Sequence, residues 1–200
     1  MQQLRAPYGV PASTKRAHLM REIVETVLFV ALVFVIVQFV IKPYRVNSNS
    51  MSPALQQDEL VVVNRAAYLL AGPSRGDVVV FYNPVNLSQQ LIGRVVAIPG
   101  DTITITPTQV IVDGVVLKEP YVTVPFGVAA NPVVVAPLKL GSDQYYFMVD
   151  NRLQGGNSDS RSFGPVSGRN VVGQAEVVFW PLGHVRGVDA HSNVFNGVGQ

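Results

Sequence analysis

LIGRVVAIPGD, residues 91–101, joins a long apolar run to a turn, and runs of this kind recur through most of the chain. A continuous apolar run bounded by turn residues is typical of a strand buried on both faces. Pro99-Gly100-Asp101 is a turn signal. Gly93 is the unusual residue, because glycine inside a strand adds chain entropy and packs no side chain. The stretch therefore predicts a core strand with one position that needs a separate explanation.

Further apolar runs on both sides of this stretch predict a mainly antiparallel β domain, packed as a sandwich or a partly open barrel. They are rich in Val, Ile and aromatic residues and are separated by turn residues. Asp113-Gly114 inside one run is a two-residue hairpin signal. Residues 122–137 are interpreted as a Pro-broken loop that packs on the core or contacts lipid. The predicted strands are ELVVVN (59–64), DVVVFY (77–82), LIGRVVAI (91–98), TITIT (102–106), QVIVDGVVL (109–117), QYYFMVD (144–150) and NVVGQAEVVFW (170–180).

IVETVLFVALVFVIVQFVI, residues 23–41, predicts a single membrane-spanning helix. A helix of this length covers roughly 28 Å, about the thickness of the hydrocarbon core. Glu25 and Gln38 lie near its ends, where polar groups reach the interface. A cleaved signal peptide has a shorter apolar region and a small-residue cleavage site, and a buried soluble helix usually shows polar residues at helical spacing. A retained anchor is therefore the favoured interpretation.

Basic residues are more frequent before this segment than directly after it, so the positive-inside rule places the N-terminus in the cytoplasm and the β domain on the outer side of the cytoplasmic membrane. The predicted organisation is a basic cytoplasmic N-terminus (1–22), a transmembrane anchor (23–41), an extracytoplasmic β domain (42–181) and a flexible Gly-rich tail (182–200).

The composition excludes several classes of function. The chain is 48% hydrophobic and 14% charged, against a usual charged share of about 25%, which favours a membrane protein. A net charge of +2 gives no reason to expect nucleic acid binding. The sequence has no cysteine, which excludes disulfides and thiol nucleophiles, and its three histidines lie far apart. No metal or cofactor is therefore predicted.

NSNSMSPAL, residues 47–55, follows the anchor closely and contains the candidate nucleophile. A Ser/Asn run alone is typical of a linker. Here apolar and rigid residues stand among the polar ones, and a predicted strand follows directly. A serine needs a base to remove its proton. His184 and His191 lie in the predicted tail, which makes a Ser-His-Asp triad a weak hypothesis and leaves a Ser-Lys dyad as the alternative.

Four blocks in this order behind one anchor resemble the bacterial type I signal peptidases (leader peptidases), from the anchor to about Pro181. The blocks are NSNSMSPAL (47–55), RGDVVVF (75–81), GRVVAIPGD (93–101) and VDNRLQGGNSDSRSFGPV (149–166). The resemblance implies a membrane-bound serine endopeptidase with a β fold. Such enzymes remove signal peptides from exported preproteins after small residues, using a Ser-Lys dyad.

The resemblance also implies roles for individual residues. Ser50 matches the nucleophile, and Ser48 matches the hydroxyl that completes the oxyanion hole with the Ser50 backbone N–H. Met51 and Pro53 match residues that shape the turn. The other matched positions are Arg94 and Asp101 on the opening stretch, Asp150, Asn151 and Arg152, and the charged pair Asp159 and Arg161.

The sequence departs from the family at the general base, because Gly93 stands where the family has its lysine. Asn157 stands where the family has a serine that hydrogen-bonds this lysine, and a slip of the loop would bring Ser158 into that place. A milder departure is Asp58-Glu59, where the family has Gly-Asp. Arg94 cannot act as a base, because a guanidinium does not lose its proton in this range.

Three lysines remain as candidate bases, but Lys118 and Lys139 are expected at the solvated surface and Lys42 at the membrane interface. Asp101 and Asp159 could polarise a water. The first hypothesis is thus an active signal peptidase with an unrecognised base. The alternative is a catalytically inactive relative that binds signal peptides or a partner without cleaving. At position 93, the missing side chain predicts a water-filled gap or a repacked wall.

Overall fold

The computed structural model describes residues 12–122, 133–153 and 158–199, which fall into two units, 1–40 and 41–200. The first unit contains helix α1, Ala12–Val40. Its segment His18–Val40 has a mean hydropathy of 2.7 and is long and apolar enough to cross a membrane. The helix ends one residue before the predicted boundary, because Ile41 pairs with Asn64 in a strand ladder.

The second unit is built of short strands with one short helix, α2 (Ser160–Phe163). The strands are β1 (Ile41–Arg45), β2 (Leu60–Asn64), β3 (Val78–Tyr82), β4 (Gln90–Ala97), β5 (Thr102–Ile105), β6 (Val110–Val112), β7 (Val115–Val116), β8 (Val135–Lys139), β9 (Gln144–Met148), β10 (Val166–Ser167), β11 (Val171–Trp180) and β12 (Arg186–Gly187).

These strands form two antiparallel sheets. The larger sheet has the order β1-β2-β11-β3-β4-β9-β10, with β12 paired to β11, and the smaller sheet has the order β7-β6-β5-β8. The opening stretch supplies β4, which lies between β3 and β9 and is buried along nearly its whole length. The predicted mainly antiparallel β fold behind one apolar helix is confirmed.

The predicted hairpin and one of the predicted loops have different outcomes. Asp113 and Gly114 form the turn between β6 and β7, and both have positive φ, as a type I′ turn requires. The interpretation of residues 122–137 as a loop is wrong at its C-terminal end, where Val135 begins β8 and pairs with Ile105. Residues 123–132 lie outside the described residues. Proline is tolerated in β8 because this strand lies at the edge of the smaller sheet.

Buried side chains form clusters on the two faces of the larger sheet. One cluster contains Met51 and Leu55 together with residues of β2, β3 and β11. Another contains Phe81 and Phe147 beside Leu91 and Val95. The two faces of β4 therefore meet different surroundings, and this difference decides what lies beside Ser50.

Residues 182–199, expected to form a flexible tail, make specific contacts in the structure. Phe195 and Val198 are buried in a hydrophobic cluster together with residues of the smaller sheet. β12 pairs with β11, and the Asp189 carbonyl accepts a hydrogen bond from Arg94 Nη1 at 2.8 Å. Phe195 and Val198, together with the half-buried Val188 and Val194, dock this segment on the core.

Candidate active site

The Ser50 turn, residues 46–59, is held at its base by backbone hydrogen bonds and from inside by buried side chains. The Val46 N–H donates to the Glu59 carbonyl at 2.9 Å, and the Asp58 N–H donates to the Val46 carbonyl at 2.8 Å. Met51 and Leu55 are fully buried, and the Leu55 N–H donates to the Met51 carbonyl at 2.8 Å. The apolar residues that distinguished this segment from a linker thus fix it to the core.

Ser50 and Ser48 are in direct contact. Their hydroxyl oxygens lie 3.0 Å apart, and the Ser50 N–H donates to Ser48 Oγ at 3.4 Å. The Ser50 residue is only 4% exposed. Because hydroxyls rotate, either one can supply the proton of the bond between them. The two hydroxyls therefore lie side by side at the start of the turn.

The DNR block supports the turn from behind. The Asn151 N–H donates to the Ser50 carbonyl at 2.8 Å, and its side-chain Nδ2 donates to the Asn49 carbonyl at 3.2 Å. Asp150, its neighbour, accepts two hydrogen bonds from Arg94 at 2.9 and 2.8 Å, and both side chains are fully buried. Arg94 also lies over the Tyr121 ring, 4.2 Å from the centroid. Sequence matching placed these residues near the site, and the structure shows that they brace it.

A cavity of about 540 Å³ opens beside Ser50. Its lining is neutral and mostly polar, and two of its walls come from the start of β4 and from the segment after β1. Tyr44 reaches across from β1, and its hydroxyl donates to the Gln90 carbonyl at 3.3 Å. Burial raises the pKa of Tyr44 above its ordinary value. The lining residues are Tyr44, Asn47, Ser48, Ser50, Tyr82, Ser88, Gln89, Gln90, Leu91, Ile92 and Ser158.

Ser158, the first residue of the SDSR block, lines this cavity. Asn157 lies outside the described residues. A hydroxyl near Ser50 is therefore present although the matched position carries an amide.

Gly93 is packed against aromatic side chains. A Cβ built on Gly93 would lie 3.4 Å from the Met148 carbonyl oxygen, 3.5 Å from Phe147 Cβ and 3.5 Å from Phe81 Cε1. The Phe81 and Phe147 rings lie 4.5 Å apart between centroids. A Cβ at this position would therefore meet these neighbours at ordinary van der Waals distance.

Asp101 and Asp159, which were considered as groups that could polarise a water, both form ion pairs with arginines. Asp101 pairs with Arg75 at 2.8 and 2.6 Å and accepts from the Ile98 N–H. Asp159 pairs with Arg161 at 2.8 Å and caps helix α2. Neither carboxylate lines the Ser50 cavity. Their geometry is that of structural ion pairs.

Among the described residues, the cavity lining includes no lysine, histidine, aspartate or glutamate. Lys42, Lys118 and Lys139 are exposed, as expected, and line none of this cavity. The intervals 123–132 and 154–157 of the sequence also contain none of these four residue types. In the described part of the chain, no group of three or more metal-ligating side chains comes together.

Sequence reasoning missed one polar cluster at the far side of the turn. Glu59 is 2% exposed and accepts from Arg186 at 2.8 and 2.7 Å, with His184 Nδ1 3.1 Å away. Burial raises the pKa of Glu59, but hydrogen bonds from Arg186, the Gln56 N–H and His184 outweigh burial and hold it below its ordinary value. An acidic residue after the turn and an arginine in the tail gave no spacing signal.

A serine pair on a turn braced by an antiparallel β domain defines a serine peptidase type of site. The family model described as "Signal peptidase, peptidase S26" matches residues 19–180. The chain therefore belongs to the signal peptidase family of serine peptidases.

Individual relatives agree with this assignment. The chain is 33% identical to a probable signal peptidase I-2 of Synechocystis sp. over 153 residues, which cover 74% of this chain and 66% of that protein, just under two thirds of its length. It is 32% identical to a signal peptidase IB of Staphylococcus aureus over 183 residues, covering 81% of this chain and 92% of the relative. A crystal structure of a signal peptidase I from Enterococcus faecalis aligns with a TM-score of 0.41 at 24% identity, covering 51% of this chain and 95% of that chain.

Proposed function

We propose that this chain is a membrane-anchored signal-peptidase-type domain that binds the cleavage segment of exported preproteins in the Ser50 cavity without hydrolysing it. The observation that carries the proposal is a cavity that retains Ser48 and Ser50 but has no titratable base in its described lining. The site thus offers a cavity for a peptide but no base for its hydrolysis.

The walls of the cavity suit an extended peptide. Residues Gln90–Gly93 pair with β3, whereas the described pairing with β9 begins at Arg94. Residues 91–93 therefore have a strand partner on one side only among the described residues, while the Gln90 carbonyl accepts from Tyr44. A peptide can add to such an edge as a strand, with main-chain hydrogen bonds for affinity and shallow pockets for alternate side chains. The segment around Asn47 is the second wall. We infer that small side chains next to the scissile bond enter the cavity, as the family resemblance implies.

Hydrolysis requires a group that takes the proton from Ser50. General base catalysis contributes roughly 10²–10⁴-fold in rate, and Gly93 supplies no base. A buried lysine at this position would need both space and a partner to lose its proton near neutral pH. The Phe81–Phe147 pair takes up the space next to Gly93.

A second candidate function is cleavage by Ser50 with an unrecognised base. The presence of both hydroxyls on the cavity favours it, because Ser48 Oγ lies 3.0 Å from Ser50 Oγ and can turn its proton towards an oxyanion formed beside Ser50. The same site residues serve both functions, with Ser50 as nucleophile and Ser48 as oxyanion donor in the second.

The first prediction separates the two candidates. Full-length protein in phospholipid nanodiscs is mixed with a preprotein and with a fluorescent peptide that spans its cleavage segment. We expect saturable binding by anisotropy and no Ser50-dependent cleavage by mass spectrometry. Ser50→Ala should leave binding within about twofold, since the serine hydroxyl contributes little to strand addition.

Cavity occupancy is tested by a matched pair of variants. Ser88→Trp fills the cavity and should abolish binding, whereas Thr108→Trp places the same side chain on an exposed turn away from the lining and should not. If both variants still bind the peptide, the proposal is contradicted. Cleavage by the unmodified protein that Ser50→Ala abolishes would establish the second candidate instead.

Gly93→Lys tests the role of the missing base. A gain of Ser50-dependent cleavage in this variant, or in Gly93→Lys combined with Phe81→Ala to open space, would show that the residue at position 93 limits the chemistry. The double variant is included because Phe81 Cε1, a ring atom, lies 3.5 Å from the position of the added Cβ.

A further inference from the structure

The segment that follows the family match, residues 182–199, is hydrogen-bonded to the second half of the Ser50 turn. Arg186 Nη2 donates to the Ala54 carbonyl at 2.8 Å. The same guanidinium holds both carboxylate oxygens of Glu59, and Glu59 Oε2 in turn accepts from the Gln56 N–H at 2.9 Å. One arginine therefore fixes two separate backbone positions of the turn, one directly and one through Glu59.

The arginine itself is held in place on both sides. Arg186 lies in β12, where it pairs with Val178 of β11. Three residues later, the Asp189 carbonyl accepts from Arg94, which is fully buried. Further along, Phe195 and Val198 are buried in the core. The segment is thus anchored to the sheet before and after it passes the turn.

We propose that residues 182–199 act as a strap in which Arg186 and Glu59 are positioning residues for Ser50. They do not line the Ser50 cavity. They act by holding residues 54–56, and the Leu55 N–H to Met51 carbonyl bond passes this restraint to the residue next to Ser50. The predicted effect of the strap on peptide affinity rests on the proposed function, whereas its effect on the position of the turn does not.

A neighbouring ion pair provides the matched comparison. Arg45 and Asp58 also join an arginine to an acid at the end of the turn, at 2.9 Å, but their side chains are 65% and 62% exposed. Glu59 is almost completely buried. Arg186 donates to both carboxylate oxygens of Glu59 and to a third acceptor, the Ala54 carbonyl. Exposed ion pairs contribute little to stability because solvent screens them. A buried carboxylate that loses its partner, in contrast, is left with an uncompensated charge, which destabilises the structure around it.

The test is hydrogen–deuterium exchange of the full-length protein in detergent micelles, with peptides that cover residues 47–58 and residues 78–97. Arg186→Gln should speed exchange in 50–58 by about tenfold and leave β3 and β4 unchanged, as expected for local opening. Arg186→Lys should restore part of the protection, because a point charge reaches Glu59 but cannot also hold the Ala54 carbonyl. Arg45→Gln should change neither region.

The affinity for the cleavage-segment peptide is measured on the same variants and should fall for Arg186→Gln and stay unchanged for Arg45→Gln. Equal exchange in Arg186→Gln and Arg45→Gln would overturn the strap. So would exchange that rises equally in 50–58 and in 78–97, which indicates a general loss of stability. If the unmodified protein binds no peptide, the proposed function fails, while the exchange data still decide whether the strap positions the turn.

Discussion

Gly93 lies in β4 among residues that contact the Ser50 cavity and the buried core. Its neighbours Ile92 and Leu91 line the cavity, and Arg94 holds Asp150. The glycine backbone lies in ordinary strand geometry, and its partner on β3 is Val79. The fold therefore does not require glycine at this position.

A methyl group at position 93 is predicted to be accepted. Gly93→Ala should raise the free energy of unfolding by about 0.5–1 kcal/mol, because the added Cβ makes ordinary contacts and the unfolded chain loses entropy. Gly173→Ala is the matched control, since its Cβ would collide with the Asn64 carbonyl oxygen. That variant should lose about 1–3 kcal/mol.

Denaturant titration of the micelle-bound protein measures both changes. A loss of stability in Gly93→Ala equal to that in Gly173→Ala would show that the wall at Gly93 is tighter than its contacts indicate.

At the scale of elements, β4 and the end of β9 are joined by a buried charge pair. Arg94 and Asp150 form two parallel hydrogen bonds away from solvent, and Arg94 Nη1 also donates to the Gly76 carbonyl at 2.8 Å. Asn151 follows Asp150 directly and holds the Ser50 carbonyl. The pair thus connects β4 to the Ser50 turn.

Removing one partner of this pair is predicted to be costly. Asp150→Ala should lower the free energy of unfolding by about 3–5 kcal/mol, because it leaves a buried guanidinium uncompensated. Arg45→Ala, which breaks the exposed pair with Asp58, should cost about 0–1 kcal/mol. Denaturation midpoints of the two variants give the comparison, and similar midpoints would contradict a dominant contribution from burial.

At the scale of the whole molecule, the sequence predicted the strands well and the cavity only in part. Alternating runs such as 102–106 fix their own register, because a shift of one residue exposes an entire apolar face. β8 was missed since Pro137 interrupts its strand pattern, and the strap was missed since its apolar residues are scattered among glycines and polar residues. The SDSR block predicted a hydroxyl near Ser50, but which residue supplies it depends on the path of the loop.

The predicted orientation of the chain is tested on intact cells. With the N-terminus in the cytoplasm and the β domain outside, protease added to spheroplasts should degrade an epitope placed after residue 200 and leave one placed before residue 1 intact. The greater number of basic residues before the apolar helix is the physical reason. Protection of the C-terminal epitope, with lysed spheroplasts as control, would contradict the proposed outer location.

The pairing of Trp180 with Leu60 places the fluorescence of Trp180 next to the end of the Ser50 turn. Trp180 is the single tryptophan of the sequence, it is 51% exposed, and its strand partner directly follows Glu59. An indole at the border between protein and solvent responds to local polarity through its emission maximum and through quenching by iodide. The unlabelled protein therefore reports movements at the end of the Ser50 turn by its own fluorescence.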